Sequence, residues 1–305
     1  MPTRSKNSRV LLFAAAIMSL MPALGPLRTD AQVTSNVLER VLNVRVNAGT
    51  PNEATATAFT IDVDGREYLV TAKHVVKGLR SRDKIDIFMN NQWSSLEVSI
   101  LRCDDPVDIA VLIPPHQLTV NFELPSENNN VYLGQEAYFL GFPYGIQIPA
   151  TGINGPYPLP IVKHGNISGI LPISQESRSG LMLLDGYNNP GFSGGPIVYR
   201  DSNQGSFVFR LAGVVSGFRP EVAPVMKEHD ISSPDEAGQK AKAEPWRIVK
   251  RANGTYFEYV DNGTYVALNT GIVIGYGIQP AVDLIHQHPI GPEAKDLPGN
   301  NPSPQ

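Results

Sequence analysis

Apolar positions along the chain come in short runs rather than long stripes. From Val41 the runs VLNVRV, TATAFTIDV, EYLVTA, KIDIFM, LEVSIL and DIAVLI follow one another, rich in Val, Ile, Phe and Tyr and broken by turn residues such as Asp64-Gly65. This spacing predicts antiparallel strands with no long amphipathic helix. A polar, proline-containing connection, ELPSENNN (Glu123 to Asn130), precedes a second series: AYFLGF, HGNISGIL, LMLLDG, GPIVYR, FVFRLAGVVSG and NTGIVIGYGI. Two β-rich lobes of similar size, residues 41–122 and 131–288, joined by that linker, are the economical reading.

Three segments depart from the pattern. Residues Phe218 to Glu244 are charged and broken by proline, and they lead into TYFEYVDNGTYVALN, where Asn262-Gly263 predicts a tight primed hairpin turn; the whole region 218–270 reads as an insertion. In QPAVDLIHQH (Gln279 to His288), Ala281, Val282 and Ile285 fall at helical spacing, so a short C-terminal helix is predicted. From Pro289 to the end the chain is rich in Pro and Gly and is expected to be disordered.

Composition narrows the class. The 305 residues are 42% hydrophobic, enough to bury a sizeable core, and 25 Lys plus Arg against 29 Asp plus Glu leave a formal charge of -4 with no long block of one sign. That balance argues against a dedicated nucleic-acid binder. Cys103 is the only cysteine, so no internal disulfide can form, and the absence of a Cys/His cluster argues against zinc. Cys103 itself reads as a buried small apolar residue rather than a nucleophile. At the N-terminus, Arg4, Lys6 and Arg9 precede the apolar run Val10 to Leu24, ended by Gly25 and Pro26. This is the pattern of an export signal spanning 1–31, cleaved after Gly25 or Ala31, or of an uncleaved membrane anchor. Either places the body of the protein, 32–288, outside the cytoplasm, periplasmic or secreted, with the membrane touched only through the signal if it is retained.

The stretch NNPGFSGGPIV, Asn188 to Val198, sets Ser193 between glycines. GFSGG satisfies the nucleophile-elbow pattern of α/β-hydrolases, but that geometry needs a helix after the serine. Here Gly194, Gly195, Pro196 and β-branched residues follow, which predicts a strand. The alternative serine chemistry orders its residues His, Asp, Ser on two β-barrels. In that order the chain offers His74, at the end of the strand EYLVTA, and Asp108, opening the buried run Ile109 to Ile113; Asp104 and Asp105 lie close enough to compete as the partner.

With these residues in place the sequence resembles the trypsin-like serine peptidases, nearest to the bacterial Deg-type protease domain without a PDZ domain. TAKHVV is similar to the family's histidine motif, DIAVL to its aspartate motif and PGFSGGPIV to its serine motif. LGFPYGI, HGNISGI, GVVSGF and GIVIGYGI resemble strand and loop pieces of the same domain, in register from Ala54 to Ile285. The resemblance implies an all-β, chymotrypsin-like fold of two six-stranded antiparallel β-barrel lobes with a short C-terminal helix. It implies a catalytic triad of His74, Asp108 and Ser193, with the amides of Gly191 and Ser193 as the oxyanion hole. It further implies a pocket floor near Tyr187 with Ser216, Gly217 and Phe218 along one wall, a protein or peptide substrate, and no cofactor or metal. With no acidic residue there, small or medium apolar side chains are the expected preference. Phe192 departs from the pattern: the position before the nucleophile holds Asp in trypsin, where it pairs with the N-terminus, and often Asn in Deg-type enzymes. Two functions follow from these residues, an exported serine endopeptidase or a catalytically silent peptide- or protein-binding member of the same fold.

Overall fold

The computed structural model describes residues 33–121, 124–126, 131–149, 154–173, 180–203 and 206–295. The segment 1–31 expected to be an export signal, most of the Glu123 to Asn130 linker and the last ten residues of the tail lie outside these.

In the N-terminal lobe the predicted runs become β1 (Val41–Val46), β2 (Ala54–Val63), β3 (Arg66–Thr71), β4 (Lys84–Met89), β5 (Gln92–Glu97), β6 (Ser99–Arg102) and β7 (Ala110–Ile113). They pair antiparallel in the order β5-β4-β1-β2-β3-β7-β6. Only Val98 separates β5, on β4, from β6, on β7. The two are therefore one strand bent at a corner, and that corner joins the two edges of the sheet and closes a barrel. Leu42, Val44, Ala58, Leu69, Ile85, Ile87 and Leu112 fill its interior.

The C-terminal lobe contains β8 (Glu136–Gly141), β9 (Ile161–Pro172), β10 (Gly180–Asp185), β11 (Pro196–Asn203), β12 (Ser206–Ile231), β13 (Ile248–Lys250) and β14 (Tyr256–Gly277). The order is β10-β9-β8-β11-β12-β14-β13, and a further β10 to β14 pairing closes the first six into a second barrel. Its core gathers Phe139, Ile167, Leu184, Phe192, Ile197, Tyr199 and Val273. Two short helices, α1 (Ser35–Leu38) and α2 (Pro234–Ala243), join the predicted C-terminal helix, α3 (Gln279–Gln287), which buries Ala281, Val282 and Ile285.

The structure corrects two expectations. Asn262-Gly263 is not a hairpin turn. β12 and β14 run past the barrel as one long two-stranded ribbon, pairing Pro220 with Asn269 and Ile231 with Tyr256, and Asn262 to Thr264 form a bulge in β14 between the Pro224–Tyr265 and Met226–Asp261 pairs. Asx hydrogen bonds take the place of ladder bonds there: the Gly263 amide donates to Asp261 Oδ1 at 2.7 Å and the Thr264 amide to Asn262 Oδ1 at 2.8 Å. The true hairpin connection carries α2 and β13. Nor is the whole segment after Pro289 free. The Glu67 amide donates to Pro292 O at 2.9 Å, the Ala294 amide to Gly65 O at 2.8 Å and Arg66 Nη1 to Gly291 O at 2.6 Å, so Gly291 to Ala294 run along β3 as a strap. The Pro and Gly content that suggested disorder frees no fewer acceptors, and β3 offers donors for them.

Candidate active site

β3 ends at Thr71, and Ala72 leads into a single 3-10 turn, Lys73–Val76, that lifts His74 off the barrel end. Asp108 stands just before β7, which pairs with β3, so the two residues meet by sheet register. His74 Nδ1 lies 2.7 Å from Asp108 Oδ2, and the His74 amide donates to Asp108 Oδ1 at 2.8 Å. An ionised carboxylate only accepts, so the ring presents Nδ1–H to Asp108 and keeps Nε2 as its free basic nitrogen. Asp105 does not compete: it takes Lys73 Nζ at 2.7 Å. Burial pushes the Asp108 carboxyl up, but hydrogen bonds from His74 and Ser216 and the His74 charge outweigh it and hold Asp108 below the ordinary carboxylate range.

Ser216 bonds both Asp108 and Ser193. Its hydroxyl donates to Asp108 Oδ2 at 2.5 Å, and its carbonyl accepts the Ser193 hydroxyl at 3.2 Å. The bulge that shifts β12 against β14 between Val215 and Gly217 falls at this residue. In this rotamer Ser193 Oγ is turned to the β12 backbone rather than to His74. Nothing in the sequence singles out the Ser216 hydroxyl, because its partner is Asp108 on the other lobe.

The loop between β10 and β11 requires its glycines. Gly191 has φ +105°, and a Cβ there would stand 2.3 Å from Phe142 O; Gly194 has φ +85°, and a Cβ would stand 2.1 Å from Thr71 Oγ1. Thr57, buried on β2, ties this loop to the N-terminal lobe. Its hydroxyl donates to Gly191 O at 2.7 Å while accepting from the Phe142 amide at 3.0 Å, and its amide donates to Ser193 O at 3.0 Å.

Of the five amides from Gly191 to Gly195, two are left over among the described residues. The Pro190 carbonyl accepts the Tyr144 amide at 2.8 Å and the Phe192 carbonyl accepts the Gly195 amide at 2.8 Å. In a trans peptide the N–H points opposite to its C=O, so the Gly191 and Ser193 amides face away from those partners. Among the described residues neither donates to a protein acceptor. Phe192 is fully buried, edge-on to Phe139 with ring centroids 5.2 Å apart, inside the barrel core.

Tyr187 requires correction. Its side chain is 59% exposed, so it does not form a buried pocket floor; its carbonyl instead accepts Lys163 Nζ at 2.5 Å. Gly217 and Phe218 are half-buried on β12, beside Ser216. Cys103 is buried, and burial pushes its thiol up to about 12, which makes it inert.

Two closed antiparallel barrels, with a His–Asp pair from one and a glycine-flanked serine from the other, define the chymotrypsin-like fold. Residues 56–208, half of the chain, match the model of the trypsin-like peptidase domain, and the chain belongs to that family. No curated protein matches it. Among solved structures it is similar to the HtrA-type protease AlgW with a decapeptide, at 16% identity and a TM-score of 0.46, covering 84% of this chain and 68% of that one. A mutant AlgW with a tripeptide is similar at 16% identity and a TM-score of 0.48, covering 84% of this chain and 65% of that one. An inactive-form mutant of Rv3671c from M. tuberculosis H37Rv is similar at 18% identity and a TM-score of 0.42, covering 78% of this chain and 89% of that one. The chain spans 65% and 61% of the length of two of the AlgW structures it matches.

Proposed function

We propose that this protein is an exported serine endopeptidase that cleaves peptide bonds through an acyl-enzyme intermediate. The observation that carries the reading is the pairing of His74 Nδ1 with Asp108 Oδ2 at 2.7 Å, which leaves Nε2 to serve as a base, while Ser216 bonds both Asp108 and Ser193. A serine hydroxyl is a weak nucleophile until a base takes its proton. In the reaction Ser193 Oγ swings from Ser216 O to His74 Nε2, gives up its proton and attacks the scissile carbonyl. The Gly191 and Ser193 amides receive the developing oxyanion, and the imidazolium, held by Asp108, returns the proton to the leaving amine. Water then repeats the sequence on the acyl-enzyme.

The substrate strand lies along β12 at Ser216, Gly217 and Phe218. Neither these residues nor Tyr187 to Pro190 carry a carboxylate, and the Lys163 ammonium sits against that loop, so basic side chains are disfavoured there and small or medium apolar ones preferred. Export rests on the basic residues Arg4, Lys6 and Arg9 before the apolar run Val10 to Leu24. One observation favours the silent peptide-binding alternative: the Ser193 hydroxyl is bonded to Ser216 O. Digestion of a peptide library separates the two. Turnover lost by about 10^4- to 10^6-fold in Ser193→Ala and in His74→Ala supports the peptidase. Binding of peptides without cleavage by folded wild type supports the silent member.

A further inference from the structure

Lys163 stands half-buried at the margin of the second barrel's core. It lies on β9 directly opposite Phe139 on β8, and directly opposed residues share a face of the sheet. Phe139 is fully buried in the core of the second barrel. A lysine on that inward face loses hydration, and burial pulls Lys163 below the usual ammonium range. An ammonium that loses part of its hydration gains from protein acceptors that replace the lost water.

All the partners it finds belong to one loop. Lys163 Nζ donates to Tyr187 O at 2.5 Å and to Asn189 Oδ1 at 2.8 Å, and it stands 5.4 Å from the centre of the Phe192 ring. Because an ammonium only donates, it fixes the Asn189 amide with Oδ1 inward, which turns Nδ2 to the Tyr144 hydroxyl at 3.3 Å. Asn189 O in turn accepts the Phe192 amide at 3.2 Å. Tyr144 is held at φ +53°, a left-handed conformation unusual for an aromatic residue, and its amide donates to the Pro190 carbonyl. That bond decides which way the Pro190–Gly191 peptide faces, and so where the Gly191 N–H points.

We propose that Lys163 is a positioning residue for the Gly191 amide: by clamping Tyr187 O and Asn189 it locks the loop against Tyr144 and keeps the Pro190–Gly191 peptide in the orientation that turns the Gly191 N–H into the cleft. The inference rests on the peptidase reading for its kinetic consequence but not for its geometry.

The test uses the whole chain with Lys163→Met, which keeps the stem and removes the donors, and Lys163→Arg, which restores charge and donors. Two readouts are taken: kcat and KM on a cleaved peptide, and hydrogen exchange at the Tyr144 amide by NMR. Lys163→Met is expected to lower kcat on the order of 10- to 100-fold, short of the loss from deleting an oxyanion donor outright, with KM changed by less than about threefold. Its Tyr144 amide exchanges about tenfold faster or more, and Lys163→Arg recovers part of both losses. If Lys163→Met does not fold, Asn189→Ala carries the same test from the other end of the clamp. Unchanged Tyr144 exchange in the folded variant overturns the proposal, whatever happens to kcat. A wild type without turnover defeats the peptidase reading alone, since the exchange measurement still decides the role of Lys163.

Discussion

Phe192 and Asp108 carry the clearest consequences at the scale of single residues. Phe192 anchors the serine loop by burial, so Phe192→Ala should cost about 3–5 kcal/mol, read by denaturant unfolding, as for other large core truncations. The Asp108 carboxyl is depressed in the folded state, so its contribution to stability is complete above the unfolded value of about 3.9 and is lost as pH falls through the lower folded value. The stability difference between wild type and Asp108→Asn should therefore stay constant from neutrality down to about pH 4 and shrink only below it. Ser216→Ala removes a hydrogen bond to that same carboxylate, equivalent to about 1.5–3 kcal/mol, and should lower kcat about 10- to 100-fold. At this scale His74, Asp108 and Ser193 are legible in the sequence because each sits in a local motif: a strand end, a strand start, a run of glycines. Thr57, Lys163 and the Ser216 hydroxyl are not legible, because their partners, Gly191, Asn189 and Asp108, lie far along the chain and no local pattern announces them. Tyr187 shows the reverse failure: its place six residues before Ser193 suggested a floor, while its exposure depends on how the loop leaves β10.

The elements follow the same logic. Each short β-branched run became a strand, since alternation and turn residues state both the period and its limits. The ribbon beyond the barrel was misread because Asn-Gly between β-branched residues is the strongest local hairpin signal, and only the pairing of Val222 with Ala267 and Lys227 with Val260 shows that β14 continues through it. The middle of this ribbon leaves Val222, Tyr265, Val266 and Leu268 exposed, whereas its far end buries Ile231 and Phe257 under α2 and β13; a two-stranded stretch without a packed face is marginal. Amides of 220–227 and 260–269 should accordingly exchange with solvent faster than those of 206–215 and 272–276, which sit in the closed barrel. Equal protection along both strands would show that the ribbon is covered in solution.

For the whole molecule, contacts from several elements join the two barrels. Thr57 bonds the serine loop, Ser216 bonds Asp108, and the strap at Gly291 to Ala294 closes over β3. Removing the chain from Gly291 onward should lower stability by about 2–4 kcal/mol, from several hydrogen bonds at about 0.5–1.5 kcal/mol each, while sparing the His74–Asp108 pair. The central claim is that these contacts deliver a serine that acts as a nucleophile. Its most direct measurement is intact-mass analysis after exposure of the folded protein to a fluorophosphonate. The account predicts one adduct per chain, on Ser193, formed by wild type and absent in both Ser193→Ala and His74→Ala. A wild type that remains unlabelled while folded, or an adduct that persists in Ser193→Ala, would contradict it.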